Sequence, residues 1–212
     1  MIITKFGHSC LLVEEGNARM LIDPGKWSDG HTALTNLDAI LITHEHQDHC
    51  DISSIQEILK KNPGILIYTN HGVGTVLAEA GITYKPLEDG GSVEIQSVMV
   101  RAYGRDHALI HQTMPIVRNT GYLIADRFFY GGDSIATVPD RSVETLALPV
   151  VAPWMRLAES LDYAVRLKPK HCFPVHDGML KHTGPFHALP EKILNGAGIE
   201  WKVLEHGKPM KF

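Results

Sequence analysis

The segment Thr43–His49 constrains this chain more than any other, because it places three histidines and one aspartate within six positions. It follows the apolar run Leu37–Ile42 and precedes a helical pattern that begins near Asp51. Imidazole nitrogens and carboxylate oxygens are the usual protein ligands of divalent transition metals where thiolates are absent. The sequence therefore predicts a metal site at the end of a buried strand.

The spacing within this segment indicates how its side chains point. Residues two apart on a helix face nearly opposite sides, so His44 and His46 can share one ion only where the backbone is extended. Asp48 and His49 are adjacent, and a tight turn into the following helix would point both toward a second ion. Histidines that merely decorate a surface loop are the alternative, but the density of donors after a strand favours a pair of metals.

Further donors stand at the ends of predicted strands in the first part of the chain. The segments Ile2–Phe6, Cys10–Val13 and Met20–Ile22 are short strand patterns. His8 follows the first of them, where it could either reach a cleft or be a hydrogen-bonded loop residue. Asp23 follows the third, either as a turn residue or as a carboxylate that accepts a hydrogen bond from a metal-bound histidine.

The second part of the chain repeats this arrangement. Ser92–Tyr103 is predicted as one long alternating strand that ends near His107, with His111 as the rival for a third histidine on the first ion. A hairpin about Asp126 leads into Gly131-Gly132-Asp133, where the glycines would present the carboxylate at a strand end. The strand pattern that begins at His171 ends at His176.

The motif H-x-H-x-D-H, formed by His44, His46, Asp48 and His49, resembles the signature of the metallo-β-lactamase superfamily. Gly7-His8-Ser9 is similar to the branch that contains ascorbate-phosphate-lactonase-like and phospholipase-D-like hydrolases. The resemblance implies an α/β (α+β) fold, a four-layer αββα sandwich that forms a single domain over residues 1–212.

The resemblance also implies a role for each donor. The first ion would take His44, His46 and His107, the second would take Asp48, His49 and His176, and Asp133 would bridge them. Asp23 would support a metal-bound histidine. Asp48 and His8 are the candidate catalytic residues, since Asp48, His8 or a metal-bound water could supply the proton for the leaving group. Zinc is the first expectation for the two divalent ions, with manganese or iron as alternatives.

Length and composition limit the classes of function. The chain has 212 residues, 44% of them hydrophobic, which is enough for one substantial core. Its net charge of -4 includes no basic stripe, so nucleic acid is not a favoured partner. The three cysteines, Cys10, Cys50 and Cys172, form no CxxC pair. We expect a cytoplasmic protein without a membrane span, because neither a secretory signal nor a long apolar run is present.

These observations predict a metal-dependent hydrolase in which a metal-bridging hydroxide cleaves a small-molecule ester, lactone or phosphoester bond. The alternatives are a phosphodiesterase or nuclease acting on RNA or DNA, an iron-dependent oxidoreductase, and a non-catalytic metal sensor. Related diiron reductases carry glutamate where this chain has His46, which argues against the oxidoreductase. The expected partner is a small-molecule substrate, and a homo-oligomer is an open alternative to a monomer.

Overall fold

A computed structural model describes residues 1–212. The first seven strands are β1 (Ile2–Lys5), β2 (Leu11–Glu15), β3 (Ala18–Ile22), β4 (Ala39–Ile42), β5 (Leu66–Thr69), β6 (Lys85–Pro86) and β7 (Ser92–Ile95). The others are β8 (Val98–Tyr103), β9 (Gly121–Ile124), β10 (Phe128–Tyr130), β11 (Thr145–Pro149), β12 (His171–Val175), β13 (Glu200–Trp201) and β14 (Pro209–Lys211). The helices are α1 (Ile52–Lys61), α2 (His71–Glu79), α3 (Leu157–Leu167) and α4 (Gly184–Gly196), with a 3-10 turn at His31–Ala33.

The strands form two seven-stranded sheets. The first has the order β14-β1-β2-β3-β4-β5-β6, and the second has the order β13-β12-β11-β10-β9-β8-β7. Helices α1 and α2 pack on the outer face of the first sheet, and α3 and α4 pack on the outer face of the second. The four-layer αββα sandwich expected from the sequence is confirmed as one domain.

Three hydrophobic clusters fill the three interfaces between the layers. The cluster between the sheets includes Leu11, Met20, Ile22 and Leu41 from the first sheet and Val100, Tyr122, Phe128 and Phe173 from the second. Successive side chains of a strand point to opposite faces. In β4, Leu41 therefore packs between the sheets, whereas Ile40 and Ile42 pack against α1 and α2. Both faces are buried, which explains the continuous apolar run in the sequence.

Strand direction brings the predicted donors to one edge of the sandwich. In the first sheet β1, β3, β4 and β5 run parallel to one another, since β2 is antiparallel to both β1 and β3. In the second sheet β8, β10, β11 and β12 share one direction for the same reason. Carboxyl ends of parallel strands lie at the same edge of a sheet, and loops at such an edge are the usual place for a site. Every predicted donor follows one of these strands.

The predicted single strand Ser92–Tyr103 is wrong, because it is a hairpin of β7 and β8. Gln96 and Ser97 form its turn with φ of 47° and 66°. Both values lie in the left-handed region that two-residue hairpin turns require. The apolar residues Ile95 and Val98 are three positions apart, and this break in the alternation is the sequence signal that indicates a turn. None of the helices has the length and apolar character needed to cross a bilayer.

Candidate metal centre

The structure brings the predicted donors together in overlapping groups. His44, His46 and His107 form one group in which the candidate ligand atoms lie within 4.8 Å of one another. Asp48, His49 and His176 form a second group that also contains His8. Asp133 forms a third group with His44 and His49, and it therefore lies between the other two. Donors from both sheets meet at the edge that the strand directions define.

The carboxylate of Asp133 is the centre of this arrangement. Its Oδ2 lies 3.0 Å from His176 Nε2, 3.3 Å from His107 Nε2 and 3.9 Å from His44 Nε2, and its Oδ1 lies 3.3 Å from His49 Nε2. Two ligands that share a tetrahedral Zn²⁺ with bonds of about 2.0–2.1 Å lie about 3.3 Å apart. The spacing of the donors therefore fits metal ligation.

The buried polar atoms of the cluster give a second test of this fit. Asp133 Oδ1 and the Nε2 atoms of His44, His49, His107 and His176 are all buried without a hydrogen-bond partner. Leaving one such atom unsatisfied costs about 1–3 kcal/mol, so a folded protein rarely tolerates several in one place. Bound cations would satisfy all of these atoms at once, and the residues present fit a metal centre.

Hydrogen bonds at the opposite ring nitrogen set the tautomer of these four histidines. The Nδ1 atoms of His107 and His176 face the carbonyl oxygens of Ala108 and Val151 at 2.5 and 2.6 Å. A carbonyl only accepts, so each Nδ1 carries the hydrogen and each Nε2 presents a lone pair. His49 Nδ1 donates in the same way to Asp23 Oδ2 at 2.7 Å, so that its Nε2 would offer a lone pair once the proton on that nitrogen is displaced.

Asp23 positions the donors of the metal segment, Thr43–His49, through buried hydrogen bonds. Its Oδ1 accepts from the Thr43 amide and its Oδ2 accepts from the Thr43 hydroxyl, both at 2.8 Å. Because the Thr43 hydroxyl donates to Asp23, its oxygen is free to accept from His44 Nδ1, 3.0 Å away. One fully buried carboxylate thus fixes the rings of two histidines, His44 through Thr43 and His49 directly.

His8 is oriented in the opposite way to the four histidines just described. Its Nδ1 accepts a hydrogen bond from the Gly178 amide at 3.1 Å, so in the neutral ring the hydrogen is on Nε2. That Nε2–H lies 3.3 Å from Asp48 Oδ2. Burial lowers the pKa of His8 to about 4 despite the neighbouring Asp48, so the ring is neutral near pH 7. In this ring the Nε2–H faces Asp48 without meeting hydrogen-bond geometry, and Nε2 has no lone pair left for an ion.

Close backbone contacts explain the glycines around the cluster. A Cβ at Gly25 would lie 1.8 Å from the carbonyl oxygen of Asp48. A Cβ at Gly132, where φ is +61°, would lie 2.3 Å from Asn119 Oδ1, which accepts from the Asp133 amide at 3.0 Å. Glycine at these positions lets the loop after β3 pass the metal segment and lets the turn after β10 present its carboxylate.

Three other potential donors lie outside the cluster, and one of them is His111, the rival of His107. His111 is exposed and its Nδ1 faces the Thr113 hydroxyl at 2.8 Å, whereas His107 is buried among the donors. His71 is exposed and lies 2.6 Å from Glu88 Oε1. Cys50 is buried outside all three donor groups. The structure thus brings His107, and not its rival, to the first group.

Two features of the cluster are absent from the sequence-based set of residues. Trp154 Nε1 donates to Asp133 Oδ2 at 3.1 Å. Trp154 follows β11, whose end lies at the same edge. Its position after a parallel strand is the sequence signal that could have placed it near the donors. Lys5 forms a buried ion pair with Asp177, and His187 Nε2 lies 2.8 Å from the other oxygen of that carboxylate. This contact joins β1 and α4 to the turn that carries His176.

A cavity of about 600 Å³ opens on the donors. His46, Asp48, His107, Asp133 and His176 form its floor, whereas His8, His44 and His49 lie outside its lining. Its walls are Trp27, Ile110, Val151, Ala152, Pro153, Trp154 and Met179. A small molecule can therefore reach the donors without any rearrangement of the fold.

Metal binding to the ion-free protein is expected to release a proton from His49. Burial alone would lower the pKa of His49, but the carboxylates of Asp133 and Asp23 outweigh burial and raise it to about 9. Below that pH the ring holds protons on both nitrogens, and an ion at Nε2 must displace one of them. We expect about one proton released per His49 site at neutral pH, with affinity rising about tenfold per pH unit until about pH 9.

Zinc titrations in two buffers of different ionisation enthalpy would measure the proton released. The His49→Gln variant should release about one proton fewer than the parent chain. Equal release by both proteins would contradict the assignment of His49 as a ligand.

Comparison with known proteins identifies the family of the chain. The family model described as the β-lactamase superfamily domain matches residues 2–176, which include every donor of the cluster. A Mycobacterium tuberculosis protein is 37% identical over 185 residues, which cover 85% of this chain and 85% of that protein. A metal-dependent hydrolase of Methylobacterium nodulans is 28% identical and covers 98% of each chain.

Solved structures share the fold. A metallo hydrolase from the archaeon Ignicoccus hospitalis has a TM-score of 0.77 at 20% identity and covers 100% of this chain and 98% of its own. A protein from Parabacteroides distasonis has a TM-score of 0.77 at 23% identity, over 96% of this chain and 93% of that chain. With the family match across the whole donor set, the chain belongs to the metallo-β-lactamase superfamily of metal-dependent hydrolases.

Proposed function

We propose that the chain is a dinuclear hydrolase that cleaves an ester, lactone or phosphoester bond of a small molecule. The observation that carries the proposal is the position of Asp133 between two donor groups whose Nε2 lone pairs converge on it. His44, His46 and His107 would hold one divalent ion, and Asp48, His49 and His176 would hold the other. Asp133 would bridge them, and zinc suits this mixed nitrogen and oxygen donor set.

Two bound divalent ions would supply Lewis-acid polarisation of the scissile group and a water acidified to near neutral pH. The protein residues then have to orient the substrate and move protons. Asp48 lines the cavity, so it can contact a substrate directly. Burial raises the pKa of Asp48, but the nearby N–H of His8 and the charge of His49 outweigh burial and lower it to about 2.

The ionisation of Asp48 and His8 determines the order of proton transfer. At neutral pH Asp48 is a carboxylate and His8 is a neutral ring. Asp48 must therefore accept a proton before it can donate one to a leaving group. His8 is enclosed behind Asp48, and its Nε2–H lies 3.3 Å from Asp48 Oδ2. The same oxygen lies 3.7 Å from His49 Nε2 and 3.6 Å from His176 Nε2, so it faces the other donors of the second group.

Metal analysis coupled to a hydrolase screen tests the proposal. The purified chain, loaded with zinc, manganese or iron, would be assayed on lactones, carboxylic esters, phosphodiesters and β-lactams. We expect about two ions per chain and turnover that a chelator removes and added metal restores. Oxygen consumption that depends on bound iron would replace hydrolysis by oxidoreduction. Metal binding without turnover in any class would indicate a sensor.

A further inference from the structure

We infer that the substrate has an uncharged, apolar body, taken up between Trp27 and Trp154. This inference rests on the proposed hydrolytic function and specifies the class of molecule that the same cavity accepts. It concerns the part of the substrate away from the scissile bond, because the donor cluster itself would hold the reacting group.

The walls of the main cavity carry the inference. Trp27, Ile110, Val151, Pro153, Trp154 and Met179 give it an apolar lining above the donors. Neither lysine nor arginine lines the cavity, and the charged residues that do, Asp48 and Asp133, would be occupied by the ions at its floor. A phosphate or carboxylate in the body of a substrate would therefore lose its hydration without gaining a cationic partner.

The mouth of the cavity extends the apolar surface. A smaller cavity of about 80 Å³ shares His46, His107 and Ile110 with the main one. The loop around it exposes Leu109, Met114 and Ile116 by 51%, 48% and 55%. Exposed apolar side chains that cluster beside a cavity commonly contact a ligand. Here they continue the apolar path from solvent to the donors.

The arginines near the donor cluster line a different cavity. Arg105 and Arg118 line a polar cavity of about 410 Å³ together with Glu88 and Asp89. Arg105 pairs with Asp89 at 2.9 Å, and Arg118 pairs with Asp106 at 3.2 Å. These cations are outside the main cavity and are already neutralised, so they offer little to an anionic substrate there.

A matched pair of esters tests the inference. Phenyl 4-methylbenzoate and phenyl 4-carboxybenzoate share a size and a scissile bond and differ by one charge at the far end of the acyl ring. For the zinc-loaded chain we expect kcat/KM at least about 100-fold higher for the neutral ester. Equal values, or a preference for the charged ester, would overturn the inference.

A binding measurement separates this inference from the proposed function. The chain has three tryptophans, of which Trp27 and Trp154 line the cavity and Trp201 is buried behind the second sheet. Quenching of their fluorescence by 4-methylbenzanilide and 4-carboxybenzanilide would be measured on metal-free protein, so that no ion captures the carboxylate. Tighter binding of the neutral anilide, by at least about tenfold, is expected even if neither ester is cleaved. Equal affinity would overturn the inference in either case.

Two lysine variants, one inside the cavity and one outside it, test whether the cavity wall selects the ligand. Met179→Lys adds a cation to the lining, and Val165→Lys adds one to the exposed face of α3, away from the cavity. We expect Met179→Lys to reduce the preference for the neutral anilide at least about tenfold, because the lysine would pair with the carboxylate. Val165→Lys should keep the preference of the parent chain. The same change in both variants would overturn the inference, since it would mean that net charge and not the cavity wall selects the ligand.

Discussion

Replacement of Asp133 by asparagine is expected to abolish hydrolysis while the domain stays folded. The asparagine side chain would fill the same volume, but an amide presents one acceptor atom where the carboxylate presents two, so it cannot bridge two ions. The carboxylate also lies against four histidine Nε2 atoms. The substitution would remove its negative charge from the centre of the donor cluster. We expect kcat to fall at least about 100-fold, more than the loss of an outer hydrogen-bond partner causes.

Elemental analysis, far-UV circular dichroism and turnover of the same preparation would measure this effect. We expect fewer ions per chain in Asp133→Asn and an unchanged spectrum. Asp162→Asn removes the same charge from an exposed position on α3 and is the matched control. Asp133 would not be the bridging residue if the two variants had equal activity and equal metal content.

Replacement of Asp23 by asparagine is expected to have the next largest effect, because it reverses the tautomer of His49. The new amide oxygen would still accept from the Thr43 amide, but the NH₂ group would face His49 Nδ1, where the carboxylate now accepts at 2.7 Å. His49 Nδ1 would then have to accept, and the hydrogen would move to Nε2, the atom that faces Asp133. Partners of this kind contribute about 10–100-fold in metal affinity, and we expect a loss in that range.

Competition between the protein and a chelator dye would give the metal affinity, and nitrogen NMR of labelled histidine would report the tautomer. The second measurement is the decisive one, because a general loss of stability would weaken binding without moving the hydrogen of His49. Asp38→Asn is a suitable control, since Asp38 also accepts a backbone amide, that of Arg19 at 2.7 Å, but lies outside all three donor groups. An unaltered His49 tautomer in Asp23→Asn would refute the proposed role of Asp23.

The sequence predicts the strands that lead into the cluster because both of their faces are buried or alternate regularly. β4 is a continuous apolar run, and the hairpin of β9 and β10 turns at Ala125 and Asp126 as expected. The short strands β6 and β14 have two and three residues, too few to form a pattern, and they exist because a neighbouring strand offers them hydrogen bonds. The sequence predicts only a short helix over Leu189–Asn195, whereas α4 spans Gly184–Gly196 and continues through Pro190.

The ring orientation of His8 shows what the sequence cannot predict about the candidate site. A motif places His8 near the donors, but its tautomer depends on the amide of Gly178, 170 positions away in the chain. The same holds for Trp154 and for the ion pair of Lys5 and Asp177. Residue type and spacing therefore identify candidate ligands, whereas the atoms that those ligands can offer depend on contacts that only the folded chain provides.

The division of the donors between the two sheets has a consequence for the protein during its synthesis. His44, His46, Asp48 and His49 belong to the first sheet, whereas His107, Asp133 and His176 belong to the second and are translated later. A nascent chain that has emerged from the ribosome only as far as β5 exposes the metal segment without the residues that complete either ion site. On the proposed assignment the first ion site would be complete once β8 and β10 have docked, whereas the second would also need His176 after β12. Delivery of the two ions would therefore be tied to successive late stages of folding.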